Sequence, residues 1–192
     1  HKKAVLVGHD WGAVVAWHVA RTAADRLRKL AVLNVPHPAV MMKFLTRSIQ
    51  QIRKSWYIFF FQLPGLPELL FRAHHWRVAL RILQGSRPDV FTETDYEIYR
   101  AAWEQPGAIT AMLNWYRAMF RSRPAHSQSQ RIHVPTLVIW GKQDVALSHE
   151  MAQPSVELCD HGRLVMLDTA THWVQHDEPQ QVNQLLLAFL NN

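Results

Sequence analysis

Residues 4–22 restrict the fold more than any other stretch of the chain. An apolar, strand-type run, Ala4-Val5-Leu6-Val7, breaks at Gly8, and a helical pattern starts near Trp11. Between them lies Gly8-His9-Asp10-Trp11-Gly12, a G-x-D-x-G, which has the form of the nucleophile elbow G-x-S-x-G with aspartate at the serine position. That turn calls for small residues two before and two after the nucleophile, because larger side chains would collide in so tight a bend. It would hold Asp10 in a strained backbone at the mouth of a site, with a helix N-terminus behind it to stabilise negative charge. The same residues also fit an ordinary glycine-flanked strand-to-helix turn, so the rest of the chain has to decide.

Three more strand-like runs follow: Lys29–Val35, leading into Pro36-His37-Pro38; Pro135–Trp140, ending at Gly141; and Arg163–Asp168, ending at Thr169. All are short and almost continuously apolar, as expected of parallel strands covered on both faces. Helical patterns alternate with them. Trp11 to Thr22 is apolar nearly all round and is expected to be buried. The last helix begins near Glu178-Pro179 and places Val182, Leu185, Leu186, Phe189 and Leu190 on one face. This alternation predicts an α/β fold, a mostly parallel sheet flanked by helices.

Residues 40–131 read differently: no strand run, many aromatics, and prolines at 64, 67, 88, 106 and 124. Helical patterns fit Phe44–Phe61, Glu68–Gln84, Glu93–Glu104 and Gly107–Phe120, and Ser122–Gln130 reads as a polar hinge. The expected organisation is a core of 1–39 and 132–192 with a helical cap of 40–131 inserted where ligands of open α/β sheets bind.

Composition excludes several classes. Of 192 residues 48% are hydrophobic and 19% charged, which excludes a disordered chain. The net charge of +6 invites a nucleic-acid reading, but Lys and Arg are scattered and no nucleic-acid motif accompanies them, so no nucleic-acid partner is expected. The lone Cys159 permits no intramolecular disulfide and no cysteine metal site. The greasiest stretch, Trp56–Phe71, is too short and too interrupted to span a membrane, so a soluble chain is expected, with a cytoplasmic setting favoured. The chain starts at His1 directly in the elbow strand; an elbow rarely comes first, and a further N-terminal portion is expected.

A carboxylate nucleophile forms an ester intermediate, whose hydrolysis needs water activated by a histidine that a carboxylate orients. Asp144 follows the third strand in Trp140-Gly141-Lys142-Gln143-Asp144, and His172 follows the fourth in Asp168-Thr169-Ala170-Thr171-His172. Singly, Asp144 could cap a helix and His172 is one of twelve histidines. All three residues falling just past the carboxyl ends of parallel strands, in the order nucleophile, acid, histidine, favours a catalytic set.

The chain resembles the epoxide hydrolase branch of the α/β-hydrolase superfamily along its whole length. Gly8-His9-Asp10-Trp11-Gly12-Ala13 resembles that branch's elbow, and Asn34-Val35-Pro36-His37-Pro38 its segment leading into the cap. Within the cap, Trp56–Gly65 and Leu113–Arg117 are similar to the two segments that carry epoxide-activating tyrosines, and 140–144 and 172–178 match the acid and histidine segments. The resemblance implies Asp10 as nucleophile, Asp144 and His172 as acid and base, and Tyr57 and Tyr116 as donors to the ring oxygen. It implies that Trp11 gives a backbone N–H to the oxyanion hole and a wall to the pocket. Of the remaining residues, His9, His37 and Pro38 are expected to support the site and its structure, and Tyr96 and Tyr99, among the many aromatics of the cap, are expected to pack. A small apolar epoxide and water are the expected reactants, with no metal and no organic cofactor. The oligomeric state is left open.

The family also carries strands and a His-Gly-Phe-type oxyanion loop upstream of the elbow, which this sequence lacks, so the fragment alone is expected to be poorly active or inactive. Two alternatives stay open. Haloalkane dehalogenases share the fold and the aspartate but lack the tyrosine pair, and their fluoroacetate type prefers arginine where Trp11 stands. A catalytically inactive, hydrolase-like binding protein is the other, although it has no need of Asp10, Asp144 and His172 in order.

Overall fold

In the computed structural model the described residues are 3–88, 90–121 and 129–191. Four strands form one sheet in the order β1 (Ala4–His9), β2 (Leu27–Leu33), β3 (Thr136–Gly141) and β4 (Gly162–Leu167), each parallel to its neighbour. The sheet therefore grows strictly in chain order, and the chain leaves every strand at the same edge. Asp10, Asn34, Asp144 and His172 all follow strand ends at that edge.

Alternation of side chains along the strands divides the core in two. Leu30, Val32, Val138 and Trp140 pack with Ala13, Ala16, Trp17 and Ala20 of α1 (Trp11–Thr22) and with Ala152 of α8 (Ala152–Val156). Ala31, Leu33, Leu137 and Ile139 pack with Val174 of α9 (Val174–Asp177) and with Val182, Leu185, Leu186 and Phe189 of α10 (Pro179–Asn191). The stripe expected on the last helix is thus the one that packs, although Leu190 stands outside that cluster. The expectation for α1 is corrected: one face is buried, whereas Val15 is exposed, as is Val7 on the edge strand β1.

The chain divides into two compact units, His1–Lys54 with Ser127–Asn192, and Ser55–His126. The helical pattern expected over Phe44–Phe61 is broken into three: α2 (Pro38–Arg47), α3 (Ile49–Lys54) and α4 (Trp56–Phe60). The first break is at Ser48, whose backbone is extended. Helix α2 begins at Pro38, preorganised for a first turn, and the His37 ring nitrogen Nδ1 accepts the Ala39 N–H. Both α2 and α3 belong to the sheet unit: Val40 enters the core, and the buried Gln51 binds the Ala146 carbonyl and the Ser148 N–H.

The second unit contains α4, α5 (Leu66–Leu83), α6 (Glu93–Trp103) and α7 (Ala108–Arg121). Thr92 and Asp95 close a capping box at the start of α6, satisfying backbone donors at that helix end. The uninterrupted helix expected from 68 to 84 is instead bent in α5, where Ala73 is extended and His74, His75 and Trp76 have φ of 51°, 54° and 64°. The bend accompanies burial of Trp76 against Trp103, with its indole N–H donating to Glu104. Tyr96 and Tyr99 pack around Phe91, in keeping with the packing role expected of them. Of the expected hinge, 122–128 lies outside the described residues.

Candidate active site

The elbow is built by one glycine more than by two. A Cβ at Gly8 would lie 2.6 Å from the Gly12 carbonyl and 2.8 Å from Ala13 Cα, both rigid backbone, so only glycine fits. A Cβ on Gly12 would meet nothing within 4 Å, which corrects the expectation that both positions are sterically forced. Asp10 itself has φ of 49° and ψ of −130°, a left-handed backbone that a non-glycine residue seldom adopts. Its carbonyl accepts the Ala13 and Val14 N–H groups, but its carboxylate does not cap the helix. The side chain is instead about half exposed at the end of the sheet, with 49% of its surface accessible.

Asp144 lies at the opposite extreme, its side chain fully inaccessible. Four donors meet its carboxylate: the Ala146 and Leu147 N–H groups at Oδ1, each 2.8 Å away, and Asn34 Nδ2 and His172 Nδ1 at Oδ2, again each 2.8 Å away. Burial works against the ionised carboxyl, but the His172 bond and charge, the Asn34 amide and the Leu147 N–H outweigh it and leave the pKa below the ordinary 3.8. A carboxylate can only accept, so His172 Nδ1 carries a proton, and in the neutral ring Nε2 presents its lone pair. Nε2 points to Asp10, 3.8 Å from Oδ1. Burial disfavours the imidazolium, yet Asp144, with a smaller contribution from Asp10, raises the His172 pKa above the ordinary 6.5.

What brings the two loops together is Gly141. A Cβ there would lie 2.3 Å from the Thr171 carbonyl and 2.4 Å from that of Ala170, so the end of β3 runs directly under the histidine loop. Asn34 fastens the same junction. Its Nδ2 also donates to the Thr171 carbonyl and its Oδ1 accepts the Gly141 N–H, at 3.1 and 3.0 Å, from a buried backbone with φ of 53°. On the far side of the loop, Asp177 Oδ2 accepts from both the N–H and the hydroxyl of Thr171 at 2.6 Å. Lys54 Nζ donates to the Asp144 carbonyl.

His9 supports the histidine loop from the elbow side. Its Nε2 donates to the His172 carbonyl at 2.8 Å, and its Nδ1 meets the Gln175 amide at 3.3 Å. Burial, and then the neighbouring His172 charge, push its pKa down to about 4, so it stays neutral. His37, buried against Trp17, likewise falls to about 4 through burial and then Arg21. Both fit the supporting role expected of them.

Tyr57 and Tyr116 meet within the helical unit. Their rings are edge to face, 5.8 Å apart at 83°, and Phe61 packs against both. Arg117 ties the two tyrosine-bearing helices together. It pairs bidentately with Glu68 at 2.7 and 3.0 Å and donates to the Phe61 and Leu63 carbonyls. The Arg117 hydrogen bond holds the Glu68 pKa below the ordinary 4.5. Gln62 adds a bond to the Tyr116 carbonyl. Trp11 is the first residue of α1, directly after Asp10.

Sequence reading did not single out Asn34, Gln51, Lys54, Asp177 or the Arg117–Glu68 pair for these roles. Asn34 left one signal, a polar residue directly after an apolar run; the others are separated from their partners by 49 residues or more, apart from Asp177, and left none. No group of three or more His, Cys, Asp or Glu arranged to hold a metal occurs among the described residues. Nor is any described helix long and apolar enough to cross a membrane.

The chain is similar to known proteins. Residues 1–179 match the family of the alpha/beta hydrolase fold. The chain is 43% identical over its full length to the AB hydrolase superfamily protein YfhM of Bacillus subtilis, of which it covers 67%. It is 35% identical to Epoxide hydrolase 4 of Homo sapiens and 34% to Epoxide hydrolase 2 of Caenorhabditis elegans, matching 99% of its own length in each case. It spans only 54% and 55% of those two relatives. Among solved structures, an inhibitor complex of Bacillus megaterium epoxide hydrolase superposes with a TM-score of 0.88 at 28% identity, covering all of this chain and 70% of that one. With a parallel sheet, an aspartate elbow and an acid and histidine on successive strand ends, the chain belongs to the α/β-hydrolase fold family, and its relatives include epoxide hydrolases.

Proposed function

We propose that the whole protein is an epoxide hydrolase that converts a small apolar epoxide to a vicinal diol through an ester on Asp10. The observation that carries this is the placement of His172: Nδ1 bound to the buried Asp144 and Nε2 turned to the Asp10 carboxylate at 3.8 Å. A base so placed can activate water beside an ester on that carboxylate. The relatives' names and the paired tyrosines support the choice of epoxide as substrate.

In the first half-reaction a carboxylate oxygen of Asp10 attacks one epoxide carbon. The carbon–oxygen ring bond breaks and its electron pair goes to the ring oxygen, which cannot leave and must be stabilised where it forms. Tyr57 and Tyr116 donate hydrogen bonds to it, and one phenol passes on its proton, giving a hydroxyalkyl ester. In the second, His172 takes a proton from water as the oxygen attacks the Asp10 carbonyl. The Trp11 N–H, at the helix N-terminus, is one donor to the tetrahedral oxyanion. Collapse breaks the ester bond and the departing alkoxide takes the proton from His172. The second proton of the attacking water, left on the Asp10 carboxyl, returns through solvent to the phenolate, so the diol leaves with Asp10 ionised again. In this reading 55–126 is the cap that supplies the phenols and the apolar lining.

Turnover of styrene oxide and of a 1-haloalkane by the full-length protein tests the assignment. Diol formation without halide release is the expected result. Halide release without diol would transfer the chain to the dehalogenases, and neither product from a folded protein would leave a binding protein.

A further inference from the structure

The bend in α5 has a chemical consequence outside the triad and the tyrosine pair. Beside it lies a surface basin of about 550 Å³ lined by His74, His75, Arg77, Arg81, Gln84 and Arg100, with no carboxylate in its wall among the described residues. Three observations converge there. His74 and His75 stand on left-handed backbone, which L residues avoid and which recurs where a ligand is clamped. Arg77 and Arg81 lie four residues apart, so they share one helix face and repel each other. Arg100 brings a third guanidinium to the same wall from α6, with Nη1 on Glu93. Cationic donors gather on one concave surface, and an oxyanion would balance their charge.

We propose that this basin binds a phosphate-type oxyanion, with the guanidinium groups of Arg77, Arg81 and Arg100 as principal donors and the two imidazoles closing the rim. Guanidinium forks suit the geometry of phosphate oxygens, and Gln84 adds a neutral amide. The same chemistry serves a soluble phosphate ester or a phosphomonoester lipid headgroup, and the test separates the two.

The experiment is a titration of the full-length protein with inorganic phosphate at constant ionic strength, followed by ³¹P NMR and by the imidazole resonances of His74 and His75. Saturable binding that moves both resonances is expected. The double variant Arg77→Gln/Arg81→Gln should weaken it by about tenfold or more, since each charge-assisted bond contributes on that scale. The double variant Arg77→Lys/Arg81→Lys should restore part of the affinity, and Arg26→Gln/Arg28→Gln, on exposed arginines of the other unit, should leave it unchanged. Unsaturable binding, equal losses in the two glutamine variants, or unmoved His74 and His75 resonances would overturn the proposal. Phosphatidylcholine vesicles with and without phosphatidic acid then distinguish the sources. Sedimentation only with phosphatidic acid, competed by phosphate, assigns a lipid headgroup; phosphate binding without sedimentation assigns a soluble anion. Epoxide turnover plays no part in this readout, so it stands or falls separately from the hydrolase reading.

Discussion

The acid–histidine junction and the tyrosine pair both join distant stretches of chain, but they are held by different means. Asp144 and His172 sit on loops cut short by strand ends, and backbone groups supply two of the four donors to the buried carboxylate. Tyr57 and Tyr116 sit on helices, positioned by ring contacts and by the side chains of Arg117 and Gln62, which reach across to Glu68 and to backbone carbonyls. Backbone N–H groups that meet a buried carboxylate directly fix one geometry, whereas long side chains reaching between helices leave more freedom. The first arrangement suits a base whose orientation decides its proton; the second suits donors that follow an oxygen as its charge develops.

Removing members of each set should widen this contrast. Asp144→Asn leaves His172 Nδ1 without its acceptor and favours the wrong tautomer, and diol formation should fall by about 10⁴-fold in steady-state assays. The same change should move the acidic limb of the pH profile. His172 must be neutral to take a proton from water, and Asp144 raises its pKa above 6.5, so activity should be lost as pH falls through a value above 6.5. Without the Asp144 charge that limb should shift to lower pH, and an unmoved limb would contradict the assignment of His172 as the base. The phenols should be worth less singly. Tyr57→Phe or Tyr116→Phe removes one donor to the forming alkoxide, a loss of about 10²-fold in kcat, and the double variant should lose far more.

Much of the sheet unit was legible because parallel strands covered on both faces spell themselves as short apolar runs. Gly8 and Asp10 could be read because the elbow motif ties a small residue and a nucleophile to one tight turn, whereas Gly141 was legible only as the end of a strand, not as the place where the histidine loop crosses. Strand bounds moved by up to two residues, as for β2, which begins at Leu27 rather than Lys29. The helical unit was less readable. Aromatic residues satisfy helical periodicity wherever they fall, so the breaks at Ser48 and Ser55 and the bend at His74–Trp76 left no pattern. Asn34 was visible only as part of a motif; that its side chain fastens Asp144, Thr171 and Gly141 depends on where three strands end.

Stability measurements sharpen the comparison further. Asn34→Ala strips a donor from a buried carboxylate and should cost about 1–3 kcal/mol in urea unfolding, with kcat also reduced. Glu68→Gln should cost somewhat less, and only above acid pH. The Glu68 pKa is depressed in the folded chain, so its contribution is present above the ordinary 4.5 and is lost as pH falls through the folded value. Wild type and variant should therefore converge in acid, and a difference that persists there would mean that the pair acts through packing alone. The smallest effects belong to the elbow's second glycine. Gly12→Ala should be neutral or stabilise by up to about 1 kcal/mol in the first helical turn, whereas Gly8→Ala drives a Cβ into backbone and should destabilise by about 1–3 kcal/mol.

The central claim is that Asp10 forms an ester that His172 hydrolyses. Its most direct test is mass spectrometry of the full-length His172→Gln protein after one exposure to styrene oxide or trans-stilbene oxide. A stable adduct of the mass of one epoxide, mapping to the peptide that contains Asp10, is the predicted result. No adduct from a folded protein, or an adduct on any other residue, would contradict it.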